Sequence, residues 1–195
     1  MAQSTPPLAE FTFSPTLASF NVPMKTYLAS PALKDKTREA ISSGALIFSP
    51  TSKILILQRS PSDSSPNKWE TPGGGVDEDD TTIMHGVARE VFEESGLTVT
   101  HIKRLVPLGD GGEEGFAFQN SRGLRVLKFT FEVEVESVDQ VTLDAKEHQM
   151  FMWANEEEIR SGRMEDGFEF ELTGWAQRDV IIEAFRLRRK EDEGA

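Results

Sequence analysis

The stretch GGGVDEDDTTIMHGVAREVFEESGL, residues 73–97, decides how the rest of the chain is interpreted. Three glycines follow a strand-like segment, an acidic turn follows the glycines, and a charged helix runs up to Gly96. At about 100° per residue, one side of that helix is apolar and consists of Ile83, Met84, Val87 and Val91. The stretch therefore predicts a close turn and an amphipathic helix, with Thr81 or Thr82 as N-cap and Gly96 at the C-terminal end.

Acidic residues lie beside this apolar stripe rather than opposite to it. Glu94 falls inside the stripe, Glu90 at its edge and Glu93 next to both, whereas Arg89 falls on the outer side. Carboxylates spaced i, i+3, i+4 supply hard oxygen ligands within one helical turn. Without a cation, charges so close would repel and some of them would stay protonated. The spacing indicates a divalent-cation site, and an ordinary solvated acidic helix is the alternative.

The glycine run and the strand before it are candidates for ligand contacts. Gly73, Gly74 and Gly75 allow the backbone to approach a ligand closely, and a peptide carbonyl there can join a metal shell. A tight turn without any ligand would need the same glycines. Arg59 closes a predicted strand ahead of the run, where it could bind a substrate phosphate or pair with one of the many acids.

Composition excludes several classes of function. The chain has 195 residues with 33 acidic and 21 basic ones, a net charge of −12. This charge argues against binding to nucleic acid polymers or anionic membranes, since both need positive fields. Cysteine is absent, which excludes disulfides and thiolate chemistry. No basic leader and no run near ~20 apolar residues is present, so we predict a soluble, cytoplasmic protein.

The chain divides into three predicted parts. Residues 1–43 form an arm whose prolines exclude long regular structure. We expect its aromatic residues to pack on the domain and cover a sheet edge; a dimer contact or a substrate lid are the alternatives. Residues 44–190 form the domain, and residues 191–195 form a frayed, charged tail.

Hydrophobic patterning places the remaining elements of the domain. Strands are predicted at 45–48, 53–59, 97–106, 129–135 and 150–153. A short helix opens at Glu156 with a capping box, and the last helix covers 172–189 with Trp175 on its buried side. Within a glycine-rich loop at 108–123, Phe116 or Phe118 either stacks on a base or anchors the loop to the core.

The stretch at 73–97 resembles the signature of the Nudix hydrolases, G-x5-E-x7-R-E-U-x-E-E-x-G-U, where U is aliphatic. Its second half fits from Arg89 to Leu97 without exception. In the first half, a motif opening at Gly74 places Asp80 at the first Glu position and lengthens the spacer by one residue. A motif opening at Gly75 would place Thr81 there. We favour the first register because Asp80 keeps a carboxylate where the family usually has a structural salt bridge.

The resemblance covers roughly 43–153 and implies an α/β fold, the Nudix-type α/β/α sandwich with a mixed β-sheet. It also implies hydrolysis of a nucleoside diphosphate derivative with Mg²⁺ or Mn²⁺. The implied metal ligands are Gly74, Glu90, Glu93, Glu94 and Glu147, the last of which lies outside the motif. Glu90 or Glu147 would deprotonate the attacking water, and Arg89 would hold a glutamate in place. Competitors for the role of Glu147 are Glu113 and Glu114.

The substrate stays open among ADP-ribose-like compounds, dinucleotides and modified nucleoside triphosphates. A proline that some ADP-ribose enzymes carry about sixteen residues beyond the motif is replaced by Glu113. A non-catalytic nucleotide-binding module with the same fold is the main alternative, and a scaffold whose acids are merely solvated is a third. A nucleotide-like small molecule is the predicted partner, and a homodimer is left open.

Overall fold

Two β-sheets and the helices packed on them make up the structure, a computed structural model that describes residues 10–33, 37–108 and 114–194. The strands are β1 Thr12–Phe13, β2 Ala40–Ile47, β3 Ile54–Arg59, β4 Trp69–Glu70, β5 Val99–Leu105, β6 Phe116–Gln119, β7 Arg125–Val135 and β8 His148–Ala154. The α-helices are α1 Met24–Leu28, α2 Ile83–Ser95, α3 Glu156–Ser161 and α4 Trp175–Gly194. Short 3₁₀ helices cover Pro15–Phe20 and Pro31–Leu33.

The first sheet mixes parallel and antiparallel pairs. Its order is β1-β5-β7-β2, with β6 paired to β7 as well. Strand β2 runs parallel to β7 over eight residue pairs, whereas β5 and β6 run antiparallel to β7. The second sheet has the order β4-β3-β8 and is antiparallel throughout. The predicted mixed α/β fold is therefore confirmed.

The side chains of strand β3 explain why helices cover both of its faces. Leu55 and Leu57 pack in the hydrophobic cluster around α2, and Ile54 and Ile56 pack in the cluster around α4. All four side chains are fully buried. Because successive side chains of a strand point to opposite faces, an unbroken apolar run needs a helical layer on each face. The result is the predicted three-layer α/β/α sandwich.

The N-terminal segment packs against the sheet. Leu17, Phe20 and Met24 are buried in the α2 cluster, and the Phe20 ring packs edge-on against Phe129, with centroids 4.9 Å apart. Strand β1 pairs with β5 at the sheet edge. Strand β2 begins at Ala40 and therefore crosses the predicted boundary between 43 and 44. The division into arm, domain and tail stays a prediction.

Helix ends agree with the sequence signals, with one exception. Thr82 caps α2 by accepting a hydrogen bond from the His85 N–H, and Gly96 ends it at φ 69°. The capping box of α3 is present. Helix α4 begins at Trp175 and continues to Gly194, through the residues expected to fray. The prediction that Trp175 is buried was wrong, because this first residue of α4 lies beyond the core and is 63% exposed.

Candidate active site

The glycine run lies directly on strand β2. Ser43 N–H donates to the Gly74 carbonyl over 2.8 Å, and Ala45 N–H donates to the Pro72 carbonyl over 2.7 Å. Gly73 has φ 144°, and a Cβ there would stand only 2.3 Å from the Ser43 carbonyl oxygen. Glycine is therefore required at 73 by both conformation and space.

The same run lies against the carboxylates of α2. Gly73 N–H donates to Glu94 Oε2 over 2.7 Å, which ties the loop to the helix. A Cβ on Gly74 would stand 2.7 Å from Glu90 Oε2, so only glycine leaves room for that carboxylate. Glu90 and Glu94, predicted from their spacing to share one edge, thus face the backbone of the loop.

Burial changes the acidity of both carboxyls. Burial raises the pKa of Glu94 well above its ordinary value; the Gly73 N–H opposes this, and Glu70, Glu90 and Glu147 add to it. Burial likewise raises the pKa of Glu90 to about 7, against the opposing effect of Arg89. Buried carboxylates that lie close to one another are stabilised when they bind a proton or a cation. The acids of α2 therefore favour a bound cation near neutral pH.

Arg89 holds the acidic turn and the helix together. Its Nε and Nη2 donate to the two oxygens of Asp80, each over 2.9 Å, and its Nη1 donates to Glu90 over 2.9 Å and to Glu93 over 2.8 Å. Nη2 also donates to the Gly75 carbonyl. The pair with Asp80 is the salt bridge expected from the favoured register. Arg89 is only 20% exposed, so its side chain turns back among the acids instead of outward.

Glu147 and His148 approach from the other side. Glu94, Glu147 and His148 offer ligand atoms that all lie within 4.8 Å of one another. Glu147 is exposed at the mouth of the site, whereas His148 is 2% exposed. The His148 Nδ1 is buried and has no hydrogen-bond partner in the described structure. A buried imidazole with a ligand atom within 4.8 Å of two carboxylates fits a divalent cation, which supports the metal expected there.

Glu70 is a site residue that the sequence analysis missed, and His148, which follows the predicted Glu147 and for which the sequence favours a structural role, lies at the site as well. Glu70 is 6% exposed, pairs with Arg59 and lies 3.4 Å from His148 Nε2. The one available signal for it was an acid in the buried segment just before the glycines. Arg59, predicted to bind substrate, is engaged by both Glu70 and Asp63. The ion-pair alternative for Arg59 is what the structure shows.

Two predicted ligands, Gly74 and Glu93, and the competitors of Glu147 are placed differently from the other carboxylates. The Gly74 carbonyl accepts hydrogen bonds from Ser43 N–H and from the Ser42 hydroxyl, over 2.8 Å and 2.9 Å. Because both lone pairs are then used, it would have to release one donor to bind a metal. Glu93 lies at the rim with its side chain 43% exposed. Of the competitors of Glu147, Glu114 is exposed and outside the group of three ligands, and Glu113 lies outside the described residues.

A cavity of about 650 Å³ opens beside the glycine run and Glu70. Gly73, Gly74, Gly75, Glu70 and Arg59 line the end near the site, and Phe116, Phe118 and Lys128 line the far end. The chemistry that these groups can perform is binding of a polyanion whose charge is neutralised by cations held on the carboxylates.

Comparison with known proteins gives a consistent result. The family described as the NUDIX domain matches residues 38–174. The MutT protein from Methanosarcina mazei Go1 is 26% identical and has a TM-score of 0.59, covering 80% of this chain and 97% of its own. No curated protein sequence matches the chain.

Two further solved structures share the fold at lower identity. The NUDIX domain of Shewanella oneidensis NrtR, complexed with ADP ribose, is 16% identical with a TM-score of 0.57, covering 84% of this chain and 97% of its own. An Ap4A hydrolase binary complex from C. elegans is 18% identical with a TM-score of 0.56, covering 78% and 99%. Within the described residues, no helix is both long and apolar enough to cross a bilayer.

Proposed function

The chain belongs to the Nudix family of hydrolases of phosphorus acid anhydrides, and we propose that it cleaves the diphosphate linkage of a nucleoside diphosphate derivative with Mg²⁺ or Mn²⁺. One observation carries this proposal. Glu94 of α2 and Glu147 of the loop before β8 bring carboxylate oxygens within 4.8 Å of each other, and the Glu90 carboxylate lies against the backbone of Gly74, where an added Cβ would displace it.

Each acidic residue has a distinct task in the proposal. A bound Mg²⁺ or Mn²⁺ supplies neutralisation of the diphosphate charge and acidification of a water molecule. Glu94 and Glu147, with Glu90, are the residues that would hold the cation, and Glu93 would contribute from the rim. Glu94 is fixed by the Gly73 N–H, so its position does not depend on the cation alone.

Proton transfer falls to Glu90 or to Glu147. Either carboxylate would accept the proton of the attacking water; the pKa of about 7 at Glu90 applies to the metal-free protein, since a cation bound beside it lowers that pKa. Arg89 is a positioning residue, since it holds both Glu90 and Glu93 without reaching past them. His148 would complete the wall of the site through its unpaired Nδ1.

The substrate class is supported by the relatives' ligands and by the cavity. Proteins with this fold are described as complexed with ADP ribose and as an Ap4A hydrolase, so ADP-ribose-like compounds and dinucleotides are the first candidates. Modified nucleoside triphosphates are the third candidate, which the resemblance to the family leaves open. The proposed cytoplasmic location and a homodimer stay predictions.

A panel of substrates tests the proposal. ADP-ribose, a diadenosine tetraphosphate and an oxidised nucleoside triphosphate are incubated with Mg²⁺, with Mn²⁺ or with EDTA, and nucleoside monophosphate release is measured. We expect metal-dependent release from at least one of them and a loss of at least 100-fold in Glu94→Gln. Glu134→Gln is the matched control, because Glu134 is exposed on β7.

The same panel separates the hydrolase from its rivals. If no compound is cleaved but one of them raises the melting temperature, the chain is a nucleotide-binding module. If no compound is cleaved and the melting temperature does not change on adding metal and nucleotide, the acidic side chains are only solvated. Full activity in Glu94→Gln would overturn the metal-site assignment.

A further inference from the structure

Aromatic side chains line the far end of the cavity. Phe116 and Phe118 lie on one face of β6, with ring centroids 6.0 Å apart and planes 13° from parallel. Trp175, at the start of α4, does not line the cavity itself: it lies at the cavity's edge, between the lining residues Gly174 and Ala176, and packs edge-on against Phe116 with ring centroids 5.5 Å apart. We call these three residues the aromatic surface.

Core packing does not account for the aromatic surface. Trp175 is 63% exposed, and both phenylalanine side chains are only half-buried. Exposed aromatic groups that adjoin one another in a cavity and at its edge are typical of ligand contacts rather than of a closed core. The alternative from the sequence, that the phenylalanines anchor their loop to the core, would have left them buried.

Lys128 lies between the aromatic surface and the glycine run. It stands opposite Phe116 in the β6–β7 register, and its Cε is 3.1 Å from the place of a Cβ on Gly44. Gly44 in turn contacts the run, since its Cα lies 2.7 Å from the place of a Cβ on Gly73. The side chain of Lys128 thus extends along β2 toward the glycines that precede the carboxylates.

The charge of Lys128 is uncompensated within the described structure. No described carboxylate forms an ion pair with it, although the chain carries a net charge of −12. Arg59, the other cation that lines the cavity, is already paired with Glu70 and Asp63. Among the described residues, Lys128 is therefore the cavity-lining cation without an ion-pair partner, and it is placed to bind an incoming phosphate.

We propose that this cavity binds the nucleoside end of the substrate, with the base stacked on the aromatic surface and the phosphate next to the ribose bound by Lys128. This inference rests on the proposed function and deepens it. It orients the substrate, because the diphosphate then passes the glycine run on its way to Glu90 and Glu94. The leaving nucleoside monophosphate is the part held by Lys128.

The proposal also predicts weak discrimination between bases. Two side-chain amides that line the cavity near the aromatic surface, those of Gln119 and Asn120, each use one of their polar groups within the turn that joins β6 to β7. Gln119 Nε2 donates to the Gly123 carbonyl, and Asn120 Oδ1 accepts from the N–H groups of Arg122 and Leu124. Stacking tolerates every base because each base has a π-face. Adenine and guanine nucleotides should therefore bind with similar affinity.

The test compares AMP with ribose 5-phosphate, which differ by the base alone, using calorimetric titration of the full chain. We expect AMP to bind at least fivefold more tightly than ribose 5-phosphate, a factor in keeping with stacking on an aromatic side chain. Trp175→Ala should remove most of this difference, and Trp175→Phe should restore it. Lys128→Gln should weaken both ligands by a similar factor.

Controls keep the test independent of folding and of hydrolysis. Phe168→Ala removes another exposed aromatic side chain, 42% exposed, which packs against Trp69 and not against a ring that lines the cavity, and it should leave both affinities unchanged. Unchanged AMP affinity in both Trp175→Ala and Phe118→Ala overturns the aromatic surface as a base site. AMP binding can be measured without any cleavage. If the wild type cleaves no substrate but Trp175→Ala still loses AMP affinity, the proposed hydrolysis is overturned and the base site stands.

Discussion

Replacing Glu90 by glutamine should make the metal-free protein more stable at alkaline pH. In the folded state the pKa of Glu90 is raised to about 7, whereas an ordinary glutamate has 4.5. A carboxyl with a raised pKa stabilises the fold below its unfolded pKa, and that stabilisation is lost as the pH rises through the folded pKa. The metal-free protein should therefore weaken between pH 4.5 and about 7.

The magnitude follows from the two pKa values. At about 1.4 kcal/mol per pH unit, the full difference amounts to about 3 kcal/mol. Of this, about 2 kcal/mol is lost between pH 5.5 and 8.5, a range that avoids precipitation near the isoelectric point of about 4.8. Glutamine cannot ionise, so Glu90→Gln should lack this loss. The pKa of the Glu94 carboxyl is raised in the same direction, and this carboxyl is present in both proteins.

The assay is urea unfolding in EDTA at several pH values, followed by tryptophan fluorescence. The quantity compared is the free energy of unfolding of Glu90→Gln minus that of the wild type, which cancels other titrating groups. We expect this difference to rise by about 2 kcal/mol from pH 5.5 to 8.5. Mn²⁺ should then stabilise the wild type more than the variant, because a cation replaces the proton.

A flat difference across this pH range would refute the reasoning, because it would mean that the folded Glu90 carboxyl has an ordinary pKa. A variant that is less stable than the wild type at pH 8.5 without metal would do the same. Glu134→Gln is the control for the change of charge, and its difference from the wild type should stay flat.

Two further substitutions test how the loop and the turn are built. Gly74→Ala should fold but displace the Glu90 carboxylate, which lies 2.7 Å from the added Cβ, so turnover should fall at least tenfold with little change in melting temperature; unchanged turnover would contradict this contact. Asp80→Asn weakens two charge-assisted hydrogen bonds from Arg89 and should lower the free energy of unfolding by about 1.5–3 kcal/mol, measured in urea. An unaltered unfolding curve would show that the hydrogen bonds between Asp80 and Arg89 do not stabilise the fold.

The parts of the site that lie on one helix could be predicted from the sequence. Ile83 and Val91 are buried and Glu94 is 5% exposed, as the helical period predicts. The helical periodicity predicts the direction in which a side chain leaves the helix, but not where the end of a long side chain lies. For that reason the outward placement of Arg89 was wrong, since its guanidinium folds back onto Glu90.

The contact between Glu70 and His148 could not be predicted because it depends on strand pairing across the chain. Glu70 pairs with Leu57, and His148 with Arg59, so β3 brings two residues together that are 78 positions apart. No local pattern encodes that register. The exposure of Trp175 was missed for a related reason, since an apolar residue at a helix start is indistinguishable in sequence from one on the buried face.

The central claim is that the carboxylates around Glu94 bind the divalent cation on which hydrolysis depends. Titration with Mn²⁺, with free ion measured by electron paramagnetic resonance, tests it most directly in the wild type, Glu94→Gln and Glu134→Gln. The account predicts that Glu94→Gln binds Mn²⁺ at least tenfold more weakly while Glu134→Gln matches the wild type. Equal Mn²⁺ affinity in all three proteins would contradict it.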